Sequence, residues 1–76
     1  MVAVFKYGNG LNFEGIAINK KDAIIGLYKE HLQELQKRYP DFDYSDEWES
    51  KAFEEDAKWW YEGQHVFVIK ENVKIF

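Results

Sequence analysis

A chain of 76 residues with no cysteine has to hold itself together by burying side chains, because neither a disulfide nor a thiolate-bound metal is open to it. So short a chain forms one domain and withdraws only about 60% of its unfolded surface from water. The composition offsets that deficit: 46% of residues are apolar and 18% aromatic, and aromatic rings bury the most area per residue. The same content argues against intrinsic disorder. Absence of thiols also removes cysteine catalysis and leans the expected location to the cytoplasm. The opening Met1-Val2-Ala3-Val4-Phe5-Lys6 reads as a strand and not as a signal peptide. No apolar run approaches the ~20 residues of a membrane-spanning helix. A net charge of −4 argues against direct nucleic-acid binding, which needs clustered Lys and Arg.

Val2 to Tyr7 and Leu11 to Ile18 read as two strands joined at Gly8-Asn9-Gly10. A two-residue turn would set Lys6 against Phe13 and mix polar with apolar on each face. A three-residue loop sets Tyr7 opposite Leu11 and Phe5 opposite Phe13, with Lys6 against Asn12 on the other face; Gly10 then takes the left-handed position. Past that point Ile16 and Ile18 fall out of phase with Phe13, so Gly15 is expected to mark a bulge that switches faces. Asn19, with Asp22 three residues on, predicts a helix N-terminus. Ile24, Leu27, Tyr28, His31, Leu32, Leu35 and Tyr39 recur at helical spacing and predict a first helix from about Lys20 to Tyr39, stopped by Pro40. Asp41-Phe42-Asp43-Tyr44 reads as a connector and Ser45 as the cap of a second helix from about Asp46 to Glu62, with Gly63 after its end. His65 to Lys70 reads as a strand. Glu71-Asn72 is either a turn into a further short strand, Val73 to Phe76, or part of one bulged strand.

The order ββαα followed by one or two strands predicts an α+β fold: a small antiparallel or mixed sheet, made of the N-terminal hairpin and the C-terminal strand or strand pair, packed against two helices. The sequence leaves strand order open. The exposed edges of so small a sheet leave strand addition open as a binding mode.

Charge is concentrated. Residues 41–62 hold nine acids against Lys51 and Lys58, a net of −7, and the same stretch holds all three tryptophans. On a helical wheel at ~100° per residue, Trp48, Ala52 and Trp59 form one flank and Phe53, Ala57, Trp60 and Tyr61 another, with Glu49 and Asp56 between. An apolar arc that wide exceeds what one neighbouring element covers. Either both flanks are used, one on the sheet and one on the first helix, or one remains exposed as an acid-ringed aromatic surface. Trp59-Trp60-Tyr61 sharpens the second alternative, since three consecutive rings cannot all face inward.

Catalytic and metal signals are weak. His31 and His65 lack any HxH, HxxxH or HExxH spacing. Glu49 with Asp56 is the one candidate carboxylate dyad, without a positioned base or phosphate loop beside it. Gly8-Asn9-Gly10 lacks the strand–turn–helix setting of a phosphate loop, and Ser45 and Ser50 sit in no nucleophile elbow. No cofactor is implied.

The leading expectation is a non-enzymatic protein-binding module, whose partner carries a basic surface. Its contact residues would be Asp41, Asp43, Tyr44, Asp46, Glu47, Glu54, Glu55, Trp59, Trp60, Tyr61 and Glu62, the acids steering and the aromatics anchoring. In size, acidity, aromatic content and lack of cysteine the chain resembles the small inhibitors that phages and mobile elements encode against host nucleases or polymerases. That resemblance is one of type; it implies occlusion of a basic, nucleic-acid-binding groove and assigns no residue a role. Two alternatives stand beside it: a homodimer closed through the exposed aromatic flank, and a small ligand-binding domain or enzyme using Glu49 and Asp56.

Overall fold

The computed structural model of the chain describes residues 1–41, 43, 47 and 51–72. Among them are three strands, β1 (Val2–Gly8), β2 (Gly10–Ala17) and β3 (Phe67–Lys70), and two helices, α1 (Lys20–Arg38) and α2 (Phe53–Gly63). The chain is an α+β fold with a small open sheet, antiparallel throughout, in the order β2-β1-β3.

The hairpin has the register of the three-residue loop. Tyr7 pairs with Leu11, Lys6 with Asn12 and Phe5 with Phe13. Gly10 sits at φ 103°, a conformation that an L side chain rarely adopts. The bulge falls one step away: Val4 pairs with Gly15 while Phe5 pairs with Phe13, leaving Glu14 as the extra residue. That insertion resolves the phase drift, because Ile16, opposite Ala3, now shares a face with Phe13. β3 adds to the free edge of β1, pairing Val4 with Ile69 and Lys6 with Phe67. The ladder extends one bond further, Tyr7 N–H donating to the Val66 carbonyl at 2.7 Å. β3 is shorter than expected, since Val66 bends and pairing starts at Phe67. Residues 73–76, and with them the question of a fourth strand, lie outside the described residues.

Asn19 caps α1 as its sequence predicts, its Oδ1 accepting from the Asp22 N–H at 2.8 Å. Ala23, Leu27 and Leu32 form the buried line of α1. Tyr39 does not belong to that stripe: the helix ends at Arg38, Tyr39 takes the C-cap position ahead of Pro40, and its ring is exposed.

α2 is the larger correction. Glu47 is helical as expected, but Lys51 and Ala52 form a turn that interrupts the expected helix, and α2 runs from Phe53. The proposed cap Ser45 lies outside the described residues. A continuous helix would hold Glu47 and Asp56 about 13 Å apart along its axis. In the fold their carboxyls hydrogen-bond, which only a break between them allows. The acids in the first turn are therefore Glu54, Glu55 and Asp56, where the helix dipole favours them. Gly63 is the last helical residue and Gln64 caps it through its backbone N–H to the Tyr61 carbonyl.

The sheet has two unlike faces. Val2, Val4, Ala17, Phe67 and Ile69 turn toward the helices and pack with Ala23, Leu27, Trp60 and Tyr61 into the core. Alternation places Phe5, Tyr7, Leu11, Phe13, Ile16 and Val68 on the opposite face, which no helix among the described residues covers.

Candidate functional site

α2 sorts the aromatic residues of the acidic segment by their angle around its axis. Phe53 and Ala57 are buried, and Trp60 and Tyr61 pack partly buried against the core. Trp60 is the centre of an aromatic cluster: its ring lies 5.0 Å from His31, 5.5 Å from Tyr28 and 6.0 Å from Phe67. Trp59, one residue earlier, stands 80% exposed. Of the consecutive triplet, two rings hold the domain together and one projects from it.

The neighbours of Trp59 on the helix surface are set by the 3.6-residue repeat. Glu55 and Asp56 lie four and three residues before it and Glu62 three after, so carboxylates flank the indole on both sides. Glu54 is on the far side of the helix and pairs with Lys21 of α1 at 3.1 Å, with both side chains largely exposed. Such a pair contributes on the order of 0.5 kcal/mol or less.

Between α2 and α1 lies a groove of about 370 Å³ with Trp59 as its outer lip. Leu32 and Leu35 of α1 supply apolar wall, and Tyr28, His31 and Trp60 supply aromatic wall. The acids are Glu47 and Asp56. The Tyr28 hydroxyl lies 3.5 Å from Glu47 Oε1. The hydrogen bond with Asp56, followed by burial and the negative charge of Asp56, raises the Glu47 carboxyl above the usual carboxylate range. Burial, then the charges of Glu47 and Asp56, raises the Tyr28 phenol, which therefore stays protonated and able to donate. Burial lowers His31, so the imidazole adds no positive charge at neutral pH. The result is a half-open groove with aromatic walls, two facing carboxyls and no cationic side chain among its described lining residues. In chemical terms it suits a cation with an apolar stem: carboxylates take the charge and rings take the rest.

The sequence candidates distribute as follows. Glu47, Trp59 and Trp60 meet at this groove, and Glu55 and Glu62 flank its lip. Asp41 and Asp43 are exposed in the connector. Glu54, Glu55, Tyr61 and Glu62 line a second groove of about 460 Å³, whose other side is Lys20, Lys21, Ile24 and Ile25 of α1. Tyr44 and Asp46 lie outside the described residues, as do Trp48 and Glu49. Among the described residues the carboxyl beside Asp56 is that of Glu47, and the Glu49 of the expected dyad lies outside them. Tyr28, Leu32 and Leu35 went unmarked as site residues because the periodicity of α1 assigns them to the core.

No group of three or more His, Cys, Asp or Glu among the described residues is placed to hold a metal ion. No helix among them is long and apolar enough to cross a membrane. No family model, curated protein or solved structure matches the chain.

Proposed function

We propose that the protein is a non-enzymatic binding module that takes a cationic side chain of a basic protein partner into the groove between α1 and α2. The observation that carries the reading is the combination in one groove of an exposed indole at the lip with the facing carboxyls of Glu47 and Asp56 below it. An arginine or lysine entering there would stack on Trp59 and lie against both carboxyls. Its charge would also relieve the mutual repulsion of the two carboxyls. Glu55 and Glu62 at the rim add long-range attraction, which accelerates encounter more than it strengthens the complex. In its narrower form the partner is a nucleic-acid-binding protein, and the acidic helix inhibits it by occupying its basic groove; the density of acid in residues 41–62 supports that form.

The test is affinity capture from native lysate with three baits side by side: the unaltered chain, Trp59→Ala, and Asp56→Asn combined with Glu47→Gln. The reading expects a basic protein retained by the first and lost from the other two, with retention weakening as salt rises. Equal retention by all three baits refutes it.

A further inference from the structure

The outer face of the sheet is the other surface on which the described residues expose large apolar side chains. Phe13 is 60% exposed, Tyr7 55%, Ile16 49% and Leu11 44%, all on one side of the hairpin. Phe5 lies among them with its ring 5.7 Å from that of Phe13, and Ile18 extends the patch past the end of β2. Among the described residues of this face the one charged side chain is Lys70, whose amine sits 5.7 Å over the Phe5 ring. Glu14, displaced by the bulge, lines a pocket with Leu27 and Glu30 on the helix side instead.

We propose that this face is a self-association surface and that its occupant is a second copy of the chain, sheet against sheet. Area is the first argument. The exposed parts of Tyr7, Leu11, Phe13, Ile16 and Ile18 amount to roughly 600 Å² of apolar surface per copy, at the top of what a monomer leaves in water. Two such faces bury on the order of 1,200 Å² before any rim is counted, the lower bound of a stable interface. Charge is the second. A twofold interface sets a patch against itself, so the patch must tolerate its own image. The α2 surface carries Glu54, Glu55, Asp56 and Glu62, whereas a nearly uncharged aromatic face does not repel its copy. Sheet-to-sheet packing also keeps the acidic helices outermost. With layers about 10 Å apart, the two α2 helices stand on the order of 30 Å from each other, several Debye lengths at physiological salt. The dimer therefore forms without bringing its negative surfaces together, and presents two Trp59 grooves facing outward. The inference does not rest on the binding function proposed above, since it uses the opposite layer of the fold.

Sedimentation velocity of the full chain between 1 and ~200 μM tests it, alongside Phe13→Lys, Leu11→Lys and Trp59→Ala, each checked for its fold by far-ultraviolet circular dichroism. The unaltered chain is expected to sediment at twice its 9.1 kDa mass, with a dissociation constant in the micromolar range or below. Trp59→Ala is expected to do the same. Phe13→Lys and Leu11→Lys, folded, are expected to weaken association by about a hundredfold or more, since each loss occurs twice in the interface. A 9.1 kDa monomer at the highest concentration overturns the proposal. So does a dimer that survives both lysine variants, or one lost only on Trp59→Ala. A monomer that shifts a fluorescein-labelled single-stranded oligonucleotide, and fails to do so as Phe13→Lys, overturns it in favour of a base-stacking surface.

Discussion

Replacing Trp60 by alanine should cost the domain much of its stability, while the same change at Trp59 should cost almost nothing. Trp60 joins three elements: its ring contacts Tyr28 and His31 of α1 and Phe67 of β3, all with centroids between 5.0 and 6.0 Å. Truncating a fully buried tryptophan costs about 3–5 kcal/mol. Trp60 is partly buried, so the lower end applies, about 3 kcal/mol, of which the aromatic pairings beyond simple burial supply a share. A domain of 76 residues has a total stability on the order of 4–11 kcal/mol. At this size each 1 kcal/mol moves the melting temperature by roughly 4–8 °C, so Trp60→Ala should lower it by roughly 15 °C or leave the chain partly unfolded at room temperature. Trp59, 80% exposed, should shift stability by no more than about 0.5 kcal/mol. Thermal and urea unfolding, followed by far-ultraviolet circular dichroism, measures both. Equal losses at the two positions, or a larger loss at Trp59, would refute the division of α2 into a structural flank and an exposed one.

Three further outcomes are expected. Burial holds the folded His31 pKa below its ordinary 6.5, so the unfolded chain binds the proton more readily; stability is intact above that value and declines as pH falls below it toward the folded pKa. The groups facing His31 are Glu47, Asp56 and Tyr28 in one groove and Lys6, Glu14, Glu30 and Glu34 in another, and His31→Phe, which keeps the stack on Trp60, should flatten this part of the pH dependence in urea titrations. Asn19→Ala removes the side-chain acceptor for the Asp22 N–H and should cost about 1 kcal/mol in the same titrations, with Asn19→Ser recovering most of it. Gly10→Ala meets no neighbour within 4 Å, so its cost is backbone strain alone at φ 103°; about 1–2 kcal/mol is expected, seen as a lowered urea midpoint with an unchanged slope.

Several features were decided by the sequence alone, and they share a physical cause: each depends on residues close in the chain. The Phe5–Phe13 pairing follows from a three-residue loop, and loop geometry is local. The start and stop of α1 follow from Asn19 and Pro40, which act on the adjacent backbone whatever lies beyond. The concentration of acid and tryptophan between residues 41 and 62 is simply read from the chain. Tertiary structure decided what required distant partners. Glu47 meets Asp56 across the turn at Lys51-Ala52, a pairing that one straight helix does not permit. Trp60 and not Trp59 is enclosed, because α1 and β3 converge on one side of α2 only. β3 took the free edge of β1, and among the described residues no helix meets the aromatic side of the hairpin, because α1 and α2 both lie on the other face. Periodicity identifies an apolar face, but whether that face meets another element or water depends on how many elements remain to cover it.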